Sequence, residues 1–194
     1  MENQSTIRKH IQALRQALTK EQQVAYSKEI CERVIDSGIL NKAEHVAIYL
    51  PVRGEANPTP LLDFNLYSNK QFYLPVLSST QQNHLEFAKF DANTPMKLNQ
   101  FKIPEPDVNE SDLLKDPTIL DCVIMPLVGL DPMGNRIGMG GGFYDRTFSF
   151  KKTSQMKPLL IGFCYNFQII APQTPQQWDV PVDAIATQTS FTQL

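Results

Sequence analysis

Residues 136–146 read RIGMGGGFYDR, and the rest of the chain is organised around this stretch. Four of the five residues from 138 to 142 are glycines, so their backbone N–H groups can approach a ligand without a Cβ in the way. Successive N–H groups of this kind form a concavity that suits phosphate oxygens. Arg136 adds a fixed positive charge, and Asp145 can hold a hard cation such as Mg²⁺. The stretch therefore predicts a phosphate-binding loop.

The apolar segment 122–126 precedes this loop and is predicted to be the strand that delivers it to the carboxyl edge of a sheet. Open α/β folds bind their ligands at that edge. We expect the next helix to begin near Gly141, which would place the glycine N–H groups at its positive end. Considered only as a glycine-rich segment, the stretch could also be an ordinary turn or flexible loop.

Several familiar motifs do not fit the chain. A P-loop ends in Gly-Lys-Ser or Gly-Lys-Thr, and neither tripeptide occurs here. A dinucleotide fingerprint needs a small residue where Phe143 stands, and an acid about 20 residues later that is missing. No Gly-x-Ser-x-Gly sequence exists, and the three histidines are far apart. Triad hydrolysis and a zinc cluster therefore have no support.

Length and composition indicate one soluble domain spanning residues 1–194. The net charge of −2 gives no electrostatic case for nucleic acid or an anionic membrane as a partner. No stretch approaches the roughly 20 apolar residues of a membrane-spanning helix. The three cysteines are widely spaced in apolar surroundings, which predicts buried thiols in a reducing cytoplasm.

Strand and helix patterns alternate along much of the chain, as expected for a mostly parallel sheet between helices. Two amphipathic helices come first, over residues 6–18 and from Thr19, a predicted N-cap, to a stop at Gly38. The second helix is expected to bury Val24 with four other apolar residues. Residues 59–67 predict a helix, and residues 91–117 predict a long surface connection with one extended piece. The predicted strands are residues 45–50, 71–75, 85–90, 120–125, 159–164 and 184–187.

Three charged residues outside the glycine stretch are candidates for a site. Arg8 and Arg15 are seven residues apart and so lie on a similar side of the first helix. Taken alone, they indicate a solvated helix face. Glu55 follows the first strand, where its carboxylate could accept paired N–H bonds from a polar heterocycle. The alternative for Glu55 is an ordinary loop charge.

With these motifs in this order, the chain resembles the 5-formyltetrahydrofolate cyclo-ligases over nearly its whole length. The stretch GMGGGFYDR is the most specific part of the resemblance. The weaker parts are Arg8-x6-Arg15, Tyr49-Leu50-x4-Glu55, Met125-Pro126-Leu127-Val128 and Trp178-Asp179-x-Pro181-x-Asp183.

The resemblance implies an α/β fold, a three-layer α/β/α sandwich with a Rossmann-like, mostly parallel mixed sheet. It implies ATP- and Mg²⁺-dependent cyclisation of 5-formyltetrahydrofolate, with or without a polyglutamate tail, to 5,10-methenyltetrahydrofolate, ADP and phosphate. The formyl oxygen would be phosphorylated and N10 would then attack. We expect a cytoplasmic monomer.

Residue roles follow from the same resemblance. Arg136, Tyr144 and Asp145 are expected to be catalytic, and Asp145 and Asp183 to bind Mg²⁺. The expected ATP contacts are Gln4, Arg8, Arg136, Ile137, Gly138, Met139, Gly140, Gly141, Gly142 and Tyr144. The expected folate contacts are Leu50, Glu55, Met139, Gly140, Gly141, Gly142, Phe143 and Trp178. For Tyr144 and Trp178, ordinary packing in the core is the alternative.

Two positions depart from the family pattern. Gln4 stands where the family usually has a lysine that contacts ATP, so either Lys9 or another residue compensates or the ATP site is weaker. Met139 stands where some relatives have a basic residue. A binding protein that sequesters folate with slow or lost turnover remains an alternative. A sugar-phosphate isomerase of similar architecture could also use a glycine loop, but it would gain nothing from ATP.

Overall fold

An eight-stranded mixed sheet forms the centre of the fold in the computed structural model, which describes residues 3–63, 69–153 and 157–194. The strands, in chain order, are β1 (His45–Ala47), β2 (Gln71–Leu77), β3 (Leu85–Phe90), β4 (Met96–Leu98), β5 (Pro104–Pro106), β6 (Leu113–Leu114), β7 (Cys122–Met125), β8 (Gly129–Leu130), β9 (Arg136–Ile137), β10 (Leu159–Phe163), β11 (Ala184–Ala186) and β12 (Phe191–Gln193).

The strand order in the main sheet is β12-β11-β10-β7-β1-β2-β3-β6. The five strands from β11 to β2 are mutually parallel, and β12, β3 and β6 add antiparallel edges. The predicted mostly parallel mixed sheet is therefore confirmed. Two separate hairpins, β4–β5 and β8–β9, lie outside this sheet.

Three α-helices accompany the sheet: α1 (Gln4–Ala17), α2 (Lys20–Asp36) and α3 (Phe143–Thr147). Thr19 caps α2 as predicted, because its side chain accepts from the Gln22 N–H while the Gln22 side chain accepts from the Thr19 N–H. Short 3₁₀ turns cover Thr59–Asp63, Glu110–Asp112, Pro117–Ile119, Ser149–Lys152 and Asn166–Gln168. No helix among these described residues is both long and apolar enough to cross a membrane.

The central strands bury both of their faces, which produces the three predicted layers. Along β7, Cys122 and Ile124 pack in the same cluster as the buried residues of α2, whereas Val123 and Met125 pack with Phe148 beyond α3. Successive side chains of a strand point to opposite faces, so α2 and α3 cover opposite sides of the sheet. The helices thus sandwich the parallel strands.

Several boundaries differ from the sequence prediction. The first strand ends at Ala47 rather than at residue 50, and the predicted surface connection at 91–117 contains β4, β5 and β6. Another strand, β12, follows the one predicted to be last. Val24 is 70% exposed, so its predicted burial on α2 is wrong. Only part of the helix predicted at 59–67 lies within the described residues, and that part is a 3₁₀ turn.

All three cysteines are buried and free, as predicted. Burial raises the pKa of Cys31 and of Cys164 to about 12, which leaves both thiols protonated at neutral pH. Their side chains therefore act as small apolar groups in the core.

The hairpin β8–β9 carries the chain from the sheet to the glycine loop, and Asp131 closes its turn. Asp131 is fully buried. Its Oδ1 accepts from the N–H groups of Met133 and Asn135, both at 2.9 Å, and its Oδ2 accepts from Gln173 N–H at 2.8 Å. Burial alone would raise the pKa of Asp131, but these donors outweigh it and lower the pKa. The ionised carboxylate is thus part of the fold.

We expect Asp131→Ala to lower the free energy of unfolding by about 2–4 kcal/mol, because it leaves several buried N–H groups unpaired. Because folding lowers the pKa of Asp131, its ionised carboxylate stabilises the folded state above the ordinary aspartate range. This stabilisation is lost as the pH falls below about 4. Urea unfolding at pH 7 and pH 3.5 measures both effects. Asp107→Ala is the control, because its exposed ion pair with Lys97 contributes less than about 1 kcal/mol. Equal losses of stability in the two variants would contradict the structural role of the Asp131 carboxylate.

Candidate active site

The glycine loop, residues 138–142, follows the β8–β9 hairpin and leads into α3. The strand predicted to deliver the loop, β7, precedes it in the chain, and the β8–β9 hairpin stands between them. The helix begins at Phe143 rather than near Gly141, and Gly142 caps it in the left-handed region with φ 66°. Because α3 has only five residues, its macrodipole adds little, and the predicted helix-end contribution to anion binding is not supported.

Within the described residues, none of the backbone N–H groups of residues 138–142 donates a hydrogen bond. The loop is instead fastened through its carbonyls. Arg8 Nε donates to the Gly138 carbonyl, and Arg146 Nη1 donates to the Gly141 carbonyl, both at 2.8 Å. Gly140, at φ 101°, adopts a conformation that side chains rarely allow. The backbone donors therefore remain available for an anion.

Arg8, a predicted ATP contact, lies beside this loop. Its Nη2 donates to Gln4 Oε1 at 3.0 Å. Gln4, which replaces the usual lysine, thus adds no charge of its own but fixes the direction of a guanidinium next to the glycines. Lys9 has no resolved contact with the loop among the described residues.

Arg136, Tyr144 and Asp145 form one cluster beside the loop. Arg136 Nη2 donates to Asp145 Oδ1 at 2.7 Å, and the Val180 N–H donates to the same oxygen at 3.1 Å. The Arg136 guanidinium carbon lies 5.7 Å from the centre of the Tyr144 ring. Burial raises the pKa of Tyr144, and the Glu55 carboxylate adds to this while Arg136 opposes it. Tyr144 is therefore a neutral phenol that can donate a hydrogen bond.

A single carboxylate, that of Asp145, is available for a cation at this cluster. Among the described residues, both of its hydrogen bonds end on Oδ1, which leaves Oδ2 open. No group of three or more His, Cys, Asp or Glu residues in the described ranges could hold a metal ion unaided. This donor set fits Mg²⁺ held by one carboxylate together with ligand phosphates and water.

Asp183, the second predicted metal ligand, is engaged elsewhere. Its Oδ2 accepts from Lys151 Nζ and from the Leu160 N–H, both at 2.7 Å. These bonds tie the start of β11 to the start of β10. Asp183 Oδ1 accepts no hydrogen bond among the described residues, but Lys151 already balances the charge of this carboxylate.

Glu55 and Arg15 form a buried ion pair under the turn that follows β1. They are 8% and 3% exposed, and Arg15 Nη1 lies 3.7 Å from Glu55 Oε1. Glu55 Oε2 also accepts from the Val52 N–H at 3.1 Å. Burial raises the pKa of Glu55, whereas Arg15, the Val52 N–H and Arg53 oppose the rise. The prediction of a solvated face is therefore wrong for Arg15.

A cleft of about 120 Å³ joins this ion pair to the glycine loop. The residues that line it are Arg8, Gln12, Arg15, Arg53, Val128 and Met139. A larger cleft, of about 410 Å³, lies between α2 and the turn at residues 188–189 and shares none of these residues. The smaller cleft has the chemistry for an anionic ligand, because three of its six lining residues are arginines.

The remaining predicted folate contacts differ in burial. Leu50 is partly buried against the core cluster that contains β1. Phe143 lies edge-on to Phe101 of the β4–β5 turn, with ring centres 5.7 Å apart. Met139 is 53% exposed and Trp178 is 64% exposed, so core packing, the alternative for Trp178, is excluded.

Arg15 was a candidate from the sequence without an assigned role, whereas Gln12 and Arg53 were not predicted as site residues. For Arg15 a signal was present, because it follows Ile7 and Ile11 at steps of four and so belongs to the apolar stripe of α1. A charge within such a stripe indicates a buried partner. Gln12 and Arg53 carried no comparable signal.

The model of the 5-formyltetrahydrofolate cyclo-ligase family matches residues 1–188. The chain belongs to this family. A 5-formyltetrahydrofolate cyclo-ligase of Haemophilus influenzae is 35% identical over 176 residues, which are 91% of this chain and 92% of that protein. One from Escherichia coli K12 is 33% identical over 177 residues, 91% of this chain and 96% of that protein.

A solved structure supports the fold of this cyclo-ligase family member. The 5,10-methenyltetrahydrofolate synthetase of Aquifex aeolicus, determined by NMR, superposes with a TM-score of 0.80 and 27% identity. The match covers 98% of this chain and 92% of that chain. Its agreement over nearly the full length confirms the predicted α/β architecture.

The Arg136–Asp145 pair should be measurably coupled, since its side chains are only 5% and 16% exposed. We expect a double-mutant cycle of Arg136→Met and Asp145→Asn to give a coupling of about 1–3 kcal/mol in the free energy of unfolding. Lys28→Met and Glu32→Gln form the matched control, because that pair on α2 is exposed and should give less than about 0.5 kcal/mol. Similar coupling in both cycles would mean that the active-site pair is only a surface contact.

Proposed function

We propose that this protein is an ATP-dependent ligase that converts 5-formyltetrahydrofolate to 5,10-methenyltetrahydrofolate, with Mg²⁺ as cofactor. The observation that carries this proposal is the run of N–H groups at residues 138–142 that have no acceptor in the described part of the chain, flanked by Arg8 and Arg136. Such a run suits a triphosphate, and family membership connects it with folate cyclisation. The acidic residue Glu55, which is paired with Arg15 of the arginine-lined cleft, would hold the pterin ring.

The chemistry explains why ATP is needed. An amide oxygen is a poor leaving group, so the formyl oxygen first attacks the γ-phosphorus and ADP departs. The N10 lone pair then attacks the carbon of the resulting N5-iminium phosphate. Loss of the N10 proton and cleavage of the C–O bond release phosphate and give the methenyl cation. Because no protein nucleophile takes part, the protein acts by positioning the reactants and stabilising charge.

The residues divide this work between them. In the proposal, Ile137 and the loop N–H groups bind the phosphates, and Arg8 and Arg136 neutralise their charge. Tyr144, a neutral phenol, would donate to an oxygen at the reacting centre. Leu50, Phe143 and Trp178 would contact the folate rings. A magnesium ion bound with ATP would supply further charge stabilisation at the β- and γ-phosphates.

Asp145 is the proposed magnesium ligand, through Oδ2. A triphosphate that attracts Arg136 would also release Oδ1, so nucleotide and cation would bind together. Asp183 is the weaker candidate, because its hydrogen bonds go to Lys151 and Leu160 and, in the described part of the chain, none joins it to the Arg136–Asp145 pair.

We also propose that the chain is one domain, monomeric and cytoplasmic. The sheet takes its strands from residues 45–193, which supports one domain. Its edge strands, β6 and β12, have two and three residues and offer little for pairing with a second copy. The three buried free thiols suit a reducing compartment.

The test of the function is an absorbance assay at the methenyl-folate band with purified protein, 5-formyltetrahydrofolate and Mg²⁺. We expect a rise only when ATP is added, together with stoichiometric ADP. Folate binding without a rise would favour the sequestering alternative. If neither folate binding nor turnover is found, the proposal is rejected.

We expect Asp145→Asn to lower kcat at least about 100-fold at saturating ATP, because the cation loses its protein carboxylate while the shape of the side chain is kept. Rates measured over a range of Mg²⁺ concentrations test this. The control is Asp36→Asn on the exposed side of α2, which should leave kcat unchanged. Wild-type turnover of Asp145→Asn at saturating Mg²⁺ would remove Asp145 from the mechanism.

A further inference from the structure

Arg15 is a charged residue buried where α1 meets the sheet. Its Nη2 donates to the Leu127 carbonyl, just beyond the carboxyl end of β7, and its Nη1 faces Glu55. Its Nε finds no hydrogen-bond partner among the described residues. Burial of a guanidinium is costly unless its charge is matched nearby, and Glu55 is the carboxylate that matches it.

The backbone of Arg15 also determines where Glu55 lies. Gly54, at φ 74°, packs so closely on α1 that a Cβ there would lie 3.3 Å from both Arg15 Cβ and the Arg15 carbonyl oxygen. The turn that carries Glu55 is thus seated directly on Arg15. Both side chain and main chain of one residue therefore fix the height and direction of the carboxylate.

We propose that Arg15 is a positioning residue that holds the Glu55 carboxylate ionised and correctly directed for the N–H groups of a pterin-like heterocycle. This inference rests on the proposed function for the identity of the ligand. The contacts of Arg15 with Leu127 and with Glu55 join the segment after β7 to the turn after β1. The guanidinium fork can serve two acceptors at once, which an ammonium group on a flexible chain does less well.

The neighbourhood of Glu55 is otherwise poor in positive charge. The charged and titratable groups that face Glu55 come from several elements. Arg53 lies on its own turn and Arg15 on α1. Tyr144 lies on α3, Tyr49 after β1 and Tyr165 after β10. The three tyrosines are neutral, because burial raises the pKa of each. Arg53 is exposed, so water screens its charge. Arg15 is therefore the buried cation that opposes protonation of Glu55.

The test is calorimetric binding of 5-formyltetrahydrofolate and of ATP, between pH 6 and pH 9, to wild type and four variants. The variants are Arg15→Met, Arg15→Lys, Glu55→Gln and Arg15→Met combined with Glu55→Gln. We expect Arg15→Met to weaken folate binding about tenfold or more at pH 7. The loss should shrink as the pH rises, because the Glu55 pKa, already raised by burial, rises further without Arg15. ATP binding should change less than about twofold.

Two variants separate positioning from a general loss of structure. Arg15→Lys should recover part of the folate affinity and the shallow pH dependence, because it restores a positive charge. In the Glu55→Gln background, Arg15→Met should add little, since the group that it positions is no longer a carboxylate. A loss of the same size at every pH, or equal losses for folate and ATP, would overturn the proposal.

If wild type does not bind folate, the proposed function is rejected. Unfolding measurements still test whether Arg15 keeps the Glu55 carboxylate ionised. A raised carboxyl pKa makes the folded state bind more protons than the unfolded state above the ordinary glutamate range, so stability falls as the pH rises through that window. We expect this fall to be steeper and to extend to higher pH in Arg15→Met than in wild type. It should vanish when Glu55→Gln is added. A slope that persists in the double variant would overturn the positioning role.

Discussion

The site depends on the backbone N–H groups of residues 138–142, which have no hydrogen-bond acceptor within the described ranges. Backbone donors strongly favour partners, and a glycine loop left to itself would fold back on its own carbonyls. Here Arg8 and Arg146 occupy the carbonyls of Gly138 and Gly141, which removes two acceptors that the loop could have used. The donors are left to water, which a phosphate group can replace. The arginines therefore preserve the cradle as well as contributing charge.

Each acidic residue of the site is paired with an arginine, but the two pairs differ in depth. Asp145 is partly exposed and its bond to Arg136 lies beside the loop, so in the proposed mechanism an incoming triphosphate would exchange the partners. Glu55 and Arg15 are buried beneath a turn that packs against α1, where exchange would expose an uncompensated charge. The geometry thus combines one pair that a ligand can open with one that keeps its arrangement while a ligand binds.

The sequence was sufficient for those features whose cause is local or periodic. The parallel strands show as apolar runs because both their faces are buried, and Thr19 shows as a cap because its partner Gln22 is three residues away. The bounds of α3 were missed because Gly142 ends the loop in a left-handed conformation that glycine permits but does not require. The β4–β5 hairpin was missed because its strands have three residues each and their side chains show no alternation of burial.

The residues of the candidate site also fall into those that a local sequence pattern reveals and those that only the packing brings together. The glycine loop and Asp145 belong to one continuous stretch, so a motif could identify them. Arg15 and Glu55 are forty residues apart in the chain, and their contact depends on how α1 packs against the turn after β1. The residue pattern of α1 indicates that Arg15 faces inward, but it contains no information about which carboxylate it meets.

The charge of the site is opposite to that of the protein, and this difference matters for ligand capture. The chain has a net charge of −2, yet the loop and its cleft bring together five guanidinium groups and two carboxylates. The arginines are Arg8, Arg15, Arg53, Arg136 and Arg146. Since both carboxylates are already paired, the excess positive charge is concentrated around the unpaired N–H groups. A polyanion approaching an otherwise acidic surface is therefore attracted to this one region. The attraction weakens with distance and salt. In the proposed function the arginines on the cleft would therefore select by charge, and the loop and Glu55 would select by hydrogen-bond geometry.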